Sequence, residues 1–156
     1  MTRPETYFDD LRVGDTFTTR TYTVDEAAII AFAREFDPQP FHLDVEAAKR
    51  SLFGGLAASG WHTAAITMRL LVTDGALIAG GTVGVGAELA WPTPTRPGDV
   101  LHAEVEVIEL TPSRSRPDRG TAMLRITTRN QHGDVVQLLT ARLLVPRRPP
   151  AAPTPY

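Results

Sequence analysis

The sequence has no cysteine, no long apolar run and almost no excess of charge. The absence of cysteine among 156 residues excludes a disulfide framework, a thiol nucleophile and every cysteine-based metal site. The 16 basic and 18 acidic side chains leave a net charge of −2, which provides no basic surface for nucleic acid. No segment reaches the roughly 20 apolar residues that span a bilayer, and the N-terminus lacks a signal-peptide pattern. We therefore expect a cytoplasmic protein that binds neither nucleic acid nor membrane.

The apolar content is sufficient for one hydrophobic core. Apolar residues make up 42% of the chain, and no repeat or Gly/Ser linker divides it. The last residues, PRRPPAAPTPY, are rich in proline and lack a periodic apolar pattern. We therefore expect one domain over residues 1–146 and an extended, disordered tail over residues 147–156.

Helical patterns occupy the first half of the chain. Thr23 with Glu26 forms a capping-box pattern at the start of a helix over 23–36, and Asp44 begins a short second helix. The third helical pattern, 61–78, is long and mostly apolar, as expected for a helix covered by a sheet. Its apolar stripe consists of Ala65, Met68, Leu71 and Val72.

Strand patterns dominate the second half. They lie at 82–91, 100–109, 121–130 and 135–145, and an early strand fits 15–22. The second of these patterns alternates cleanly, with Leu101, Ala103, Val105 and Val107 on one face. Helices followed by a meander of antiparallel strands predict an α+β domain whose sheet covers the long helix.

The densest cluster of unusual residues is FDPQPFHLD at 36–44, in which two prolines separate Asp37 from His42. Each proline fixes its own φ and disfavours helical geometry at the residue before it. DPQP should therefore be a stiff turn that holds Asp37 and His42 in one relative position. A rigid carboxylate and imidazole pair suits proton transfer. The same pattern also fits a structural turn in which Asp37 caps the backbone and His42 packs beneath it.

This segment resembles the signature of the MaoC-like dehydratases, the family of (R)-specific enoyl-CoA hydratases, whose pattern is Gly-Asp-x-Asn-Pro-aliphatic-His. Asp37, Pro40 and His42 match the pattern, and Phe36, Gln39 and Phe41 depart from it. Further similarity lies in YFDDLRVGD at 7–15, FGGLAASGW at 53–61 and AWPTPTRPGDVLHAEVEV at 90–107. The resemblance covers most of the chain and implies a single hotdog domain, in which an antiparallel sheet wraps a long central helix.

The resemblance implies that Asp37 and His42 are the catalytic pair of a hydro-lyase that reversibly hydrates trans-2-enoyl thioesters. The pair would activate water without a covalent intermediate, and the sequence does not decide which residue is the acid and which the base. The implied oxyanion donor is the N–H of Gly60, because free N–H groups at a helix start favour negative charge. The substrate would be a thioester of coenzyme A or of an acyl-carrier protein, with no cofactor and no metal.

Four further residues belong to the implied substrate-binding set: Gln39, Ser59, Trp61 and His62. Gln39 replaces an Asn of the family and is expected to order the loop or touch the substrate. Ser59 replaces a His and is expected to cap the long helix through its hydroxyl. Trp61 and His62 begin that helix, where His62 either lines the acyl pocket or packs in the core.

Support for the catalytic carboxylate differs from the family pattern. The serine that steadies the catalytic Asp in relatives falls at Met68, so this support is absent or comes from Thr63 or Thr67. Exposed edges of a sheet are normally paired or covered, and the resemblance implies a homodimer or a higher homo-oligomer.

Two other functions stay open. A hotdog thioesterase commonly has an Asp or Glu within its central helix, and WHTAAITMRLLVTD has none before Asp74, which argues against hydrolysis. The second alternative is a non-catalytic module that binds acyl thioesters, or one subunit of a dehydratase assembly. The departures at Gln39 and Met68 favour the module, whereas Asp37 and His42 argue against it.

Overall fold

The computed structural model describes residues 4–75 and 78–152. The elements in chain order are a 3₁₀ turn Phe8–Asp10, β1 Thr16–Thr18, β2 Tyr22–Thr23, α1 Glu26–Phe36, α2 Pro40–Leu43, α3 Val45–Lys49, α4 Gly60–Asp74, β3 Val83–Ala90, β4 Val100–Pro112, β5 Arg119–Arg129 and β6 Val135–Pro146. Among the described residues, no helix has both the length and the apolar character needed to cross a bilayer.

The strands form one antiparallel sheet against which α4 packs. The strand order is β1-β4-β5-β6-β3, and β2 pairs with β4 outside this path. Ile66 and Leu70 of α4 lie in one buried cluster with Leu101 of β4 and Val136 of β6. The predicted α+β architecture, a long helix covered by a strand meander, is therefore confirmed.

The strand predictions hold with small shifts of their ends. The four apolar residues that alternate along β4 are all buried: Leu101, Ala103, Val105 and Val107. Gly133 turns the chain between β5 and β6 with a φ of +82°, a conformation in which glycine has no steric penalty. The predicted early strand is divided into β1 and β2, which both pair with β4.

The start of α1 differs from the prediction. Thr23 lies in β2, where its backbone pairs with β4, so Thr23 is not available as a helix cap. The N-cap is Asp25, whose Oδ1 accepts a hydrogen bond from the Ala27 N–H at 2.7 Å. The expected cap of the next helix is confirmed, because Asp44 Oδ1 accepts from the Ala47 N–H at 2.8 Å and α3 follows.

The ends of α4 are shifted toward the N-terminus. The helix begins at Gly60, one residue before the predicted start, and ends at Asp74 with Gly75 as its C-cap. The prediction that it reaches Ile78 is wrong, because Ile78 forms an isolated bridge with Thr6. Residues 76 and 77 of the predicted helix lie outside the described part of the chain.

The predicted buried stripe of α4 is also wrong. Met68 is 47% exposed and Val72 is 44% exposed, Ala65 is exposed, and Leu71 is only partly buried. The buried face of the helix consists of His62, Thr63, Ile66, Thr67 and Leu70. The helix carries apolar residues on two faces, so periodicity alone does not identify the buried one.

The strand β6 leads directly into two anchored arginines. The Arg147 N–H donates to the Asp118 carbonyl at 2.8 Å, and the Arg148 guanidinium contacts the Asp10 carboxylate at 2.7 Å. These contacts bind the first two tail residues to the body of the domain, and the expected disorder of the tail stays a prediction. The last residues, 153–156, lie outside the described part of the chain.

Candidate active site

Asp37 begins the turn that connects α1 with α2, and His42 is the third residue of α2. Asp37 is the C-cap of α1, and the backbones of Asp37 and Gln39 are non-helical, as is usual for residues before proline. Pro40 is the first residue of α2, a position at which its missing N–H costs no helical hydrogen bond. The predicted non-helical turn is thus confirmed from Asp37 to Gln39, and Pro40 already belongs to the next helix.

The His42 ring is held by the backbone of a neighbouring loop. Its side chain is buried, and Nδ1 lies 2.6 Å from the Ala57 carbonyl oxygen. Because a carbonyl oxygen only accepts hydrogen bonds, Nδ1 is the donor, and Nε2 of the neutral ring carries the lone pair. Nε2 lies 3.4 Å from Asp37 Oδ2. Phe41 packs edge-on against the ring, with 4.6 Å between the centroids.

The Asp37 carboxyl is stabilised in its charged form. Burial raises its pKa, but hydrogen bonding from Gln39, the Ser59 hydroxyl and the charge of His42 together outweigh burial and hold the pKa below its usual value. The Gln39 amide donates to Asp37 Oδ1 at 2.7 Å. Asp37 is therefore ionised at neutral pH.

The N-terminus of α4 faces the same pocket as His42. Ser59 is the N-cap, and its Oγ accepts a hydrogen bond from the Trp61 N–H at 3.2 Å, as expected for a capping serine. The N–H of Gly60, the first helical residue, has no hydrogen-bond partner within the part of the chain that the structure describes. A free N–H at the positive end of a helix dipole favours an anionic oxygen.

The position of Gly60 requires a glycine because Trp91 packs directly on its Cα. A Cβ at this position would lie 2.7 Å from two atoms of the Trp91 ring. The indole is held in place by its Nε1–H, which donates to Gln137 Oε1 at 2.9 Å. Gln137 is fully buried in β6, so the indole is attached to the interior of the sheet.

His42, Gly60 and Trp91 line one open pocket with a volume of about 540 Å³, whereas Asp37 lies behind His42 and is not part of the pocket wall in the described residues. Its polar lining includes Gln39, His42, Gly60, Thr63 and Thr95. Its apolar lining includes Phe41, Phe53, Trp91, Pro92 and Val136. This volume lies within the range of about 300–1,000 Å³ that is usual for small-molecule sites.

Trp61 and His62 do not line this pocket in the described part of the chain. Trp61 is 59% exposed and contacts Trp91 edge to face, with 5.3 Å between the ring centroids. The buried His62 ring stacks on Phe32 at 4.7 Å, and burial lowers its pKa below the usual value. The geometry therefore agrees with the packing role of His62.

Thr63 and Thr67 of α4 form hydrogen bonds with other threonines rather than with Asp37. The two buried hydroxyl pairs are Thr63 with Thr95 at 2.9 Å and Thr67 with Thr128 at 2.8 Å. Met68 is exposed, so the position of the family serine provides no contact to the carboxylate. The hydroxyl that stabilises Asp37 belongs instead to Ser59, at the start of the helix.

Sequence reasoning missed several groups that shape the pocket. Gln137 stands alone in the apolar run VVQLL, and a buried amide of this kind indicates a polar partner, which is Trp91. Arg96, in the PTRPGD segment, binds the loop before Ala57. The Ala57 carbonyl carries no signal in the sequence, because any residue provides a carbonyl oxygen.

The model of the MaoC-like domain family matches residues 10–130 of the chain. A solved structure of high similarity is that of the MaoC-like dehydratase from Rhodospirillum rubrum, with 62% identity and a TM-score of 0.90. The similarity covers 92% of this chain and 99% of the other.

Two relatives with named activities are also similar to the chain. The 3-hydroxybutyryl-CoA dehydratase of Methylorubrum extorquens is 35% identical over 111 residues, which cover 70% of this chain and 69% of the relative. The structure of the R-hydratase PhaJ1 from Pseudomonas aeruginosa is 27% identical, with a TM-score of 0.71, and covers 96% of this chain and 94% of that one.

Proposed function

The chain belongs to the MaoC-like domain family and has its hotdog fold, and on this premise we propose that it is a hydro-lyase acting on enoyl thioesters. In the forward direction it adds water to a trans-2-enoyl thioester, and in the reverse direction it dehydrates a 3-hydroxyacyl thioester. The observation that carries the proposal is the facing pair of His42 Nε2 and Asp37 Oδ2, 3.4 Å apart, with His42 lining the same pocket as Gly60. The dehydratase and hydratase relatives support the reaction class.

The hydrogen bonds of the pair determine which atoms can accept a proton. His42 Nδ1 donates to Ala57, so Nε2 is the proton acceptor of the ring in its neutral form. Asp37 is ionised because its pKa lies below the usual value, so its carboxylate is an acceptor too. A substrate water between them donates one O–H to each group, and this leaves an oxygen lone pair free to attack carbon.

The addition requires no other reactant. The water oxygen forms a bond with C3 as the C2–C3 π electrons move toward the thioester carbonyl and produce an enolate. The pair takes one proton from the water and returns a proton to C2, so the overall step consumes only water. General acid–base catalysis of this kind typically contributes about 10²–10⁴-fold to the rate.

The enolate oxygen needs a hydrogen-bond donor where its charge develops. We assign this role to the Gly60 N–H, which combines a free donor with the positive end of the 15-residue helix α4. Gln39 orders Asp37 through its 2.7 Å hydrogen bond, and Ser59 both caps α4 and stabilises the carboxylate.

Thioester hydrolysis receives no comparable support. The only carboxylate of α4, all of whose residues are described, is Asp74 at its last position. Arg20 contacts this carboxylate at 2.8 Å. The helix therefore has no acidic group near the pocket to direct water at a carbonyl carbon.

The functional unit that we propose is a homodimer or a higher homo-oligomer. Apolar side chains of α4 are exposed at Trp61, Met68 and Val72, and both faces of the edge strand β3 are largely exposed. A second copy would cover these surfaces, because unpaired edges are normally protected. Sedimentation equilibrium should yield two or more times the chain mass of 17.0 kDa, and a stable monomer would contradict the assembly.

The activity test measures the loss of conjugated enoyl-thioester absorbance with short and medium-chain trans-2-enoyl-CoA. Asp37→Asn and His42→Ala should each lower kcat by about 10²-fold or more, since each removes one acceptor of the water. The matched controls Asp118→Asn and His132→Ala remove the same groups from exposed loops and should retain the wild-type rate. Chiral analysis of the 3-hydroxyacyl product tests the (R) configuration that the family resemblance implies.

Full activity in either pocket variant would show that the assigned chemistry is wrong. If the wild type is inactive on coenzyme A thioesters, the same assay with acyl-carrier-protein thioesters distinguishes a different carrier from a lack of catalysis. Binding of both thioester types without turnover would instead favour a non-catalytic acyl-thioester module.

A further inference from the structure

Arg96 uses its guanidinium to bind main-chain carbonyls rather than a carboxylate. Nη1 donates to the carbonyls of Gly55 at 2.8 Å and Leu56 at 3.3 Å, and Nη2 donates to that of Phe53 at 2.5 Å. Arg96 forms no ion pair within the described residues. The planar, charged guanidinium of Arg96 therefore holds the backbone of one loop in place.

The loop that Arg96 binds, residues 50–59, lies between α3 and α4 and has no helix or strand of its own. Thr95, the residue before Arg96, binds the same loop at Ala58: the Thr95 carbonyl accepts a hydrogen bond from the Ala58 N–H at 2.9 Å. The two contacts flank Ala57, with Leu56 bound on one side and Ala58 on the other. The position of the Ala57 peptide is thus determined by the segment 95–96.

The Ala57 peptide in turn fixes the imidazole. Its N–H donates to the Phe41 carbonyl at 3.2 Å, and its carbonyl accepts from His42 Nδ1 at 2.6 Å. This short bond determines the tautomer and the rotation of the ring, and both direct Nε2 toward Asp37.

We propose that Arg96 is a positioning residue for His42, acting through the Ala57 carbonyl. The inference rests on the proposed function in assigning a catalytic task to His42. Arg96 touches neither the ring nor the substrate in this role. It keeps the carbonyl that orients the ring in place.

The test compares Arg96→Met with Arg125→Met, which removes a guanidinium from an exposed ion pair with Glu106 on the sheet. Arg96→Met should lower kcat about tenfold to a hundredfold, because a displacement of about 1 Å of a catalytic group has effects of this size. KM should change less than threefold, and Arg125→Met should match the wild type. Arg96→Lys should lie between wild type and Arg96→Met, since an ammonium provides donors but cannot span three carbonyls.

Two further measurements distinguish positioning of His42 from a general contribution of Arg96 to the stability of the fold. ¹⁵N NMR of labelled His42 should report the Nδ1–H tautomer in wild type and a mixture of tautomers in Arg96→Met. Added guanidinium, at concentrations that leave the wild-type rate unchanged, should restore part of the kcat of Arg96→Ala. If Arg96→Met does not fold, Arg96→Lys and the rescue of Arg96→Ala provide the same comparison.

The outcomes distinguish this inference from the proposed function. Folded Arg96→Met with wild-type kcat, or an unchanged tautomer of His42, would overturn the positioning role. If the wild type lacks hydratase activity, the proposed function fails, but the NMR comparison still decides whether Arg96 determines the state of His42.

Discussion

The contact between Gly60 and Trp91 leads to a quantitative prediction for Gly60→Ala. The new methyl carbon would lie 2.7 Å from the indole, whereas carbon atoms in favourable contact are about 3.5–4.0 Å apart. Either the overlap remains, at about 1–3 kcal/mol for an overpacked core, or the indole turns away. Turning away breaks the hydrogen bond to Gln137, whose Nε2 already has no partner within the described residues, at a similar cost of about 1–3 kcal/mol.

The assay is urea unfolding followed by far-UV circular dichroism at one fixed protein concentration. Gly60→Ala should lower the free energy of unfolding by about 1–3 kcal/mol. In a Trp91→Leu background the obstructing ring is absent, and alanine is favoured over glycine in a helix, so the same change should be neutral or slightly stabilising. An equal cost in both backgrounds, or no cost in the wild type, would refute the steric explanation.

Three further predictions concern stability. Thr67→Val and Thr128→Val should each cost about 1–2 kcal/mol because each leaves a buried hydroxyl without its partner, and the double variant should cost clearly less than their sum in urea unfolding. Burial holds the pKa of His62 in the folded protein below its value in the unfolded chain, so the unfolded chain binds a proton first as the pH falls. The melting temperature should therefore fall between pH 7 and pH 5.5, and His62→Gln should show a shallower decline. Deletion of residues 149–156 should leave the melting temperature unchanged, whereas deletion of 147–156 should lower it by removing the bonds of both anchored arginines.

Strands were easier to predict than helix boundaries, for a physical reason that β4 illustrates. Every second residue of β4 from Leu101 to Val107 is buried, and the sheet has only two faces, so the alternation identifies the inner face directly. The predicted cap of α1, Thr23, was wrong because Thr23 pairs with β4, which is a long-range contact that the local pattern does not reveal.

The sequence predicted the part of the candidate site that consists of side chains near one another in the chain. The prolines around Gln39 made the proximity of Asp37 and His42 a local property, and their facing atoms are 3.4 Å apart. The Ala57 carbonyl and the anchoring of Trp91 by Gln137 come from distant parts of the chain and depend on backbone placement. Periodicity and spacing do not carry such information, so these groups emerge only from the fold.

The buried threonines of α4 determine how the helix is rotated about its own axis. Since α4 carries apolar side chains on opposite sides, a rotation about its axis would bury Met68 and Val72 in place of Ile66 and Leu70 at little cost in hydrophobic free energy. Hydroxyl contacts are directional, however, and Thr63 and Thr67 are one helical turn apart. Two hydrogen bonds on one side of α4 fix its rotation about the helix axis, and they thereby determine the direction in which the Gly60 N–H points.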